Sequence, residues 1–201
     1  TDNFVDNKLI DEIVIIDISK SKKNRHLFYN AVKKICNSCF APITVGGNID
    51  SLSEIKKLQM LGADKILINS IIHKDEKLVK KISDIYGRQF IVGGIDVCLI
   101  KKKYKLFSNH GENQLKINID QCLKKFEKCK VGEILVQSID RDGSLRGFDL
   151  KICKIIKKKT NLPVIVCGGA GNANHFLEAF NLANVDGACT NNIYHFSEIS
   201  I

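Results

Sequence analysis

The residues with which this chain could do chemistry stand where apolar runs stop. Asp17 follows Glu-Ile-Val-Ile-Ile, Gly46-Gly47-Asn48 follows Pro-Ile-Thr-Val, and Asn69-Ser70 follows Lys-Ile-Leu-Ile. Asp96 follows Phe-Ile-Val-Gly-Gly-Ile, and Ser138-Ile139-Asp140-Arg141-Asp142-Gly143-Ser144, Gly168-Gly169-Ala170-Gly171 and Asn191-Asn192 end the later runs. Glycines at a strand end let backbone N–H groups come close to an anion, and a following helix turns its positive end to the same spot. Gly46-Gly47 with Asn69-Ser70 is therefore read as one phosphate cradle, and Gly168-Gly169 with Asn191-Asn192 as a second. Asp96 closes an otherwise apolar run, a partly dry setting that suits a carboxyl to proton transfer. The competing readings are structural: glycines that only turn the chain, and an aspartate that caps a helix or pairs with Lys101.

The two cradles belong to a repeat. At an offset of 122, Gly46-Gly47, Asp64, Asn69, Ile71 and His73 return as Gly168-Gly169, Asp186, Asn191, Ile193 and His195. A long-period repeat of this kind marks a duplicated supersecondary block. Two matching pockets suggest a ligand with two matching ends.

The elements that must position these groups alternate along the chain. Strands are predicted at 12–17, 42–47, 65–69, 90–96, 133–140, 163–169 and 187–191, and helices at 24–37, 51–61, 75–86, 118–130, 149–159 and 172–183. Ser51-Leu-Ser-Glu54 reads as a capping box, Asp149 as an N-cap, and Cys122, Phe126 and Cys129 as one buried helical stripe. Residues 98–107 and the following Asn109-His110-Gly111 suggest a β-ribbon inserted after the fourth strand. Strict β/α alternation with acidic or glycine-rich strand ends predicts an α/β protein, a (β/α)8 TIM barrel built from duplicated half-barrels and lacking its first strand and last helix. An open doubly wound sheet is the rival, but no G-x-G-x-x-G follows the first strand. The chain starts with Thr and stops at Ser-Glu-Ile-Ser-Ile, so it is expected to be a piece of a longer protein, with residues 1–201 forming one incomplete barrel domain.

Composition sets the outer bounds. The 201 residues are 44% hydrophobic with two prolines, enough for one sizeable core. No apolar run is long enough to span a membrane, and no export signal opens the chain. The net charge of +9 comes from lysines spread along helix faces and clustered at 101–105 and 157–159. Without aromatic interleaving or an Arg-rich stripe, this excludes a stacking reader of nucleic acid and leaves a surface that steers anionic substrates. The eight scattered cysteines read as reduced thiols of a cytoplasmic protein. Cys36-Asn37-Ser38-Cys39 has metal-ligand spacing but no second pair, so no metal site is expected.

Asp-Arg-Asp-Gly-Ser at 140–144, Gly-Ala-Asp-Lys-Ile-Leu-Ile-Asn-Ser at 62–70, Gly-Gly-Ala-Gly at 168–171 and His-Phe-Ser-Glu-Ile at 195–199 together resemble the cyclase subunit of imidazole glycerol phosphate synthase. The resemblance covers nearly the whole chain. It implies a duplicated (β/α)8 barrel with no cofactor, working in histidine biosynthesis. Such a subunit forms a heterodimer with a class I glutamine amidotransferase, the glutaminase that supplies ammonia from the bottom face. It closes an imidazole ring on a bis-phosphorylated substrate, releasing imidazole glycerol phosphate and an aminoimidazole carboxamide ribotide. Carried over position by position, Asp96 matches an acid/base aspartate of the family. Gly47, Asn69 and Ser70 match one phosphate site, and Gly143, Gly169, Asn191 and Asn192 the other. Asp17 and Asp142 match polar residues of the mouth, and Ser144 belongs to the same substrate-binding segment. Glu12, Lys65 and Glu133, at strand starts, match the charged ring through which ammonia enters.

The departures bear on product. The family's second catalytic aspartate and a fourth ring member lie in a strand before Thr1. Asn48 stands where the family has a third glycine, and Asn191-Asn192 replaces smaller residues. Phe40-Ala-Pro-Ile and Cys-Gly-Gly-Ala-Gly-Asn at 167–172 look closer to a divergent branch found in bacterial surface-polysaccharide clusters, paired with an amidotransferase for amidating a sugar in O-antigen synthesis. A third reading is a non-catalytic scaffold that activates its glutaminase; a sugar isomerase barrel fits the Asp-Arg-Asp-Gly segment less well.

Overall fold

The computed structural model describes residues 10–191, so Asn192, Ile193 and the segment 195–199 lie outside the described residues. The chain divides between Val92 and Gly93 into two compact units. In both, short runs of β-branched residues form strands and amphipathic stretches form the helices that connect them. This is the α/β class of the (β/α)8 barrels.

The first unit carries the parallel strands β1 (Ile13–Ile16), β2 (Ile43–Gly46) and β3 (Lys65–Ile68), in that order. α1 (Arg25–Ser38) joins β1 to β2, α2 (Leu52–Met60) joins β2 to β3, and α3 (Ser70–Lys74) and α4 (Glu76–Tyr86) follow. Every residue of β2 is buried, as expected for a parallel strand covered on both faces. Ile43, Val45, Ile66 and Ile68 share the core with Val32, Ile55, Leu58, Val79 and Ile82. The sequence predicts no α3, because its first residue, Ser70, reads as half of the strand-end polar pair and the four that follow are too few to show a helical period. Asp75 separates it from α4, ending one helix and capping the next by accepting the Leu78 N–H at 2.9 Å.

The second unit takes up β4 (Ile91–Ile100) from its third residue and adds β5 (Lys103–Ser108) and β6 (Asn113–Gln114) as an antiparallel ribbon. Then come α5 (Ile119–Lys128), β7 (Glu133–Ser138), α6 (Leu150–Lys157), β8 (Val164–Cys167), α7 (Ala173–Ala183) and β9 (Gly187–Cys189). β7, β8 and β9 run parallel, and β4 lies beside β7. The ribbon turns at Lys101 and Lys102, whose φ values of 46° and 65° fit a type I′ hairpin. Because the ribbon grows directly out of β4, the strand expected at 90–96 runs on to Ile100. Asp96 therefore lies inside the strand, opposite Phe107, and not at its end. Tyr104 on the ribbon donates to both carboxylate oxygens of the buried Asp149, at 2.9 and 3.0 Å. Asp149 also caps α6, as the sequence predicts, by accepting the Ile152 N–H. Among the described residues, no helix is long and apolar enough to cross a membrane.

The repeat is genuine but drifts by one residue. Ile13 N–H donates to Pro42 O as Ile134 N–H donates to Pro163 O, and β2 ends at Gly46 as β8 ends at Cys167. Those equivalences sit one position short of the sequence offset, so Gly47 corresponds to Gly168 and Asn48 to Gly169. Asp64 and Asp186 keep the full offset. Each carboxylate accepts a strand-opening N–H, from Ile43 at 2.8 Å and Val164 at 2.7 Å, and each backbone N–H returns a bond to the same residue. The extra residue falls at the back of α7. α2 stops at Met60 and turns at Gly62, whereas α7 runs to Ala183 and turns at Asn184 (φ 52°).

The stripe of Cys122, Phe126 and Cys129 is buried as predicted. Phe126 packs its ring edge onto β4 at Gly93, where a Cβ would stand 2.5 Å from Cε2. Gly93→Ala should therefore cost about 1–3 kcal/mol through overpacking. It should lower the urea midpoint at unchanged m-value, and adding Phe126→Leu should recover part of the loss. Equal midpoints for wild type and Gly93→Ala would show that the ring is not wedged there.

Candidate active-site elements at the strand ends

In the first unit the chemistry at the strand ends is organised by Arg25, which the sequence analysis passed over. A cation in the first turn of a helix opposes the helix dipole, and that misfit was the available signal. Arg25 is buried, its guanidinium 4.6 Å from the centre of the Phe28 ring. Nη1 donates to Asp17 Oδ2, Nε and Nη2 donate to Glu54 Oε1 at 3.0 and 2.6 Å, and Nη2 also donates to Gly47 O at 3.0 Å. Tyr29 donates to Glu54 Oε2 at 2.7 Å. Only half of the predicted capping box therefore forms. Ser51 Oγ accepts the Glu54 N–H at 3.2 Å, while the Glu54 carboxylate turns to Arg25 and Tyr29.

Asp17 sits at the end of β1 but is an internal ion-pair member rather than an open acid. It is buried, and its Oδ1 accepts the Ser19 N–H at 2.9 Å. Burial pushes its pKa up, but bonds from Ser19, Arg25 and Asn48 outweigh it and hold the carboxyl at about 2. Gly47 adopts φ 84°, and a Cβ there would drive into the Asp17 carbonyl. With the Gly47 carbonyl held by Arg25, the trans peptide directs the Asn48 N–H away from the guanidinium. Asn69 follows β3 as the N-cap residue of α3, and Ser70 opens that helix.

In the second unit Gly168-Gly169 follows β8 and meets the loop of residues 139–149. Gly169 adopts φ 107°, a Cβ there would drive into the Gly147 carbonyl, and the Gly169 carbonyl accepts the Gly147 N–H at 2.7 Å. The Asp142 N–H donates to Ser138 O at 3.0 Å and Ser144 N–H to Arg141 O at 2.9 Å, so Asp142, Gly143 and Ser144 lie in a closed turn. Arg141 holds the far side of the loop through Gly147 O and Phe148 O. Asn172 caps α7 by accepting the His175 N–H, and His175 Nδ1 accepts the Gly171 N–H at 3.0 Å. Ser138 is fully buried, and its Oγ has no hydrogen-bond partner among the described residues. Asp96 is half-buried in β4, and Asn191 closes the described chain.

At the strand starts of the first unit, Lys65 Nζ lies 2.7 Å from Glu12 Oε2, and the buried Thr44 hydroxyl donates to Glu12 Oε1. Glu133 opens β7 in the second unit.

The Arg25 cluster yields a pH signature. Stability conferred by the depressed Asp17 pKa is complete above its ordinary 3.8 and is lost as pH falls through about 2. Urea titrations across that window should give wild type a steeper acid loss than Asp17→Asn; equal slopes would remove Asp17 as the source. Arg25→Met, which strands the buried Asp17 and the part-buried Glu54 carboxylates, should cost roughly 3–5 kcal/mol at neutral pH.

Comparison with known proteins places this geometry. The family described as "Histidine biosynthesis protein" matches residues 2–200. Imidazole glycerol phosphate synthase subunit HisF of Hydrogenobaculum sp. is 38% identical over 95% of this chain and 76% of its own length. The subunits of the same name from Bacillus pumilus and Clostridium botulinum are 36% identical over 98% of this chain and 79% of theirs. Strand-end glycines, the Asp-Arg-Asp-Gly turn and the Glu12–Lys65 pair thus sit in a chain that belongs to the histidine biosynthesis protein family.

Proposed function

We propose that the chain is the cyclase subunit of an imidazole glycerol phosphate synthase. It takes ammonia from a glutaminase subunit and closes the imidazole ring of a bis-phosphorylated substrate. The observation that carries this reading is the like build of the two strand-end turns. Each unit has a left-handed glycine directly after a strand, Gly47 and Gly168, at which a Cβ would drive into the carbonyl of Asp17 or Ser138 at the end of the neighbouring strand. Each is followed within a few residues by an N-capped helix, α2 behind Ser51 and α7 behind Asn172. Backbone N–H groups and a helix N-terminus recognise phosphate without a lysine. Two such cradles suit a substrate with a phosphate at either end.

Asp96 is the proton carrier in this reading. Its place within β4 fixes it by pairing on the ribbon side, a rigid mount for a group that must meet one substrate atom. Gly47, Asn69 and Ser70 serve one phosphate, and Gly143, Ser144, Gly169, Asn191 and Asn192 the other. The buried Ser138 hydroxyl beside Gly168 adds a donor that a polar ligand would satisfy. Glu12 and Lys65 serve the entry of ammonia, their ion pair acting as a polar gate, and Glu133 at the start of β7 takes the same role in its own unit. The unbridged cysteines suit a reducing cytoplasm. The relatives named above favour the histidine route over sugar amidation or a bare scaffold.

The test is Asp96→Asn in the complete complex with its glutaminase. Turnover with ammonium as nitrogen source should fall by at least about 10²-fold while substrate binding persists. Unchanged turnover would take Asp96 out of the chemistry, and a wild-type complex that fails to consume the bis-phosphorylated substrate would overturn the cyclase reading.

A further inference from the structure

Cys167 ends β8 and Cys189 ends β9, and the two are register partners in a parallel pair. Neighbouring strands run about 4.8 Å apart, within the roughly 4.4–6.8 Å of Cα separation that a disulfide spans. Register partners project from the same face of the sheet, so the two thiols face each other side by side. Both residues are partly exposed, whereas Cys122, Cys129 and Cys153 are buried. The geometry points to Cys167 and Cys189 as an oxidisable pair that closes a disulfide across β8 and β9, directly before the Gly168-Gly169 turn.

The roles within the pair differ. The bond to Cys189, then burial, then the nearby Cys189 and Asp142 charges raise the Cys167 thiol well above its ordinary range. The thiol with the raised pKa keeps its proton and leaves its neighbour as the readier thiolate, the relation on which reactive dithiols depend. Cys189 is therefore the attacking sulfur. With a peroxide as oxidant, its thiolate attacks one peroxide oxygen, breaking the O–O bond and becoming a sulfenic acid as hydroxide leaves and takes a proton. Cys167 sulfur then attacks the sulfenic sulfur, its thiol proton leaving with the hydroxyl as water. The sum is two thiols and one hydrogen peroxide to one disulfide and two waters, and a dithiol reductant reverses it by exchange. None of these steps draws on the phosphate or cyclase reading.

The experiment is a peroxide titration of the purified full chain, followed by alkylation, non-reducing digestion and mass spectrometry. One peptide pair joining Cys167 to Cys189, lighter by two hydrogens and separated by dithiothreitol, is the expected product. Its formation should run at least about tenfold faster than modification of Cys122 or Cys153, whose thiols burial pushes up to about 12. Cys167→Ser should leave Cys189 trapped as a sulfenic acid that dimedone captures; Cys189→Ser should leave Cys167 reduced. Dimedone capture at Cys167 in Cys189→Ser, but not at Cys189 in Cys167→Ser, would overturn the assignment of roles. In wild type, both thiols still alkylatable at a peroxide dose that oxidises Cys36 and Cys39 would overturn the pair itself.

Discussion

The constraint on which both units rest is the close approach of one backbone to another at the strand ends. Parallel strands must hand their chain to a helix while a neighbouring segment crosses the same ground, and at Gly47 and Gly169 that neighbour is a carbonyl group with no space left for a Cβ. The crowding explains glycine at these positions before any ligand is considered. In the proposed reading it also makes the phosphate sites, because a turn forced tight presents its N–H groups on the side away from the contact. The structural and the functional readings of these glycines are thus one reading at two distances from the chain.

What holds each turn differs between the units. In the first it is a buried cation: Arg25 binds Asp17, Glu54 and the Gly47 carbonyl, tying β1, the turn after β2 and the head of α2 to one planar group. Guanidinium suits this because its donors lie in a fixed fork. In the second unit, among the described residues, no guanidinium donates to the Gly168 or Gly169 carbonyl in this way. The loop of residues 139–149 does the work with backbone bonds, and Arg141 acts one step further out. Duplicated strands have thus kept their registers while the supporting chemistry moved from a side-chain ion pair to the main chain.

Much of this was legible in the sequence. The order of the parallel strands, the buried stripe of α5, the Asp149 cap and the ribbon after the fourth strand follow from periodicity and local capping rules, which act over a few residues. What was not legible depended on contacts across long separations. Glu54 reads as a capping-box partner of Ser51, but the Arg25 guanidinium, donating to its carboxylate, is the stronger partner. Asp17 reads as a polar residue of the mouth, and nothing local reveals that Arg25 binds it. Asp96 reads as a strand end because the sequence does not say that β4 and β5 continue as one hairpin through two lysines in left-handed conformation. The Asn118–Gln121 capping box, by contrast, was plainly spelled and overlooked.

The one-residue drift between the copies shows where this architecture forgives change. Between the glycine turn and the first residues of the following helix, the two copies keep step to the residue, through Ser51 and Asn172 alike. At the rear of that helix one copy has grown, and a left-handed asparagine takes over the job a glycine does in the other. Lengthening there shifts nothing at the glycine turn, since the aspartate before the next strand re-fastens the chain to the same neighbour. Such a molecule can diverge at its back indefinitely while its front keeps time.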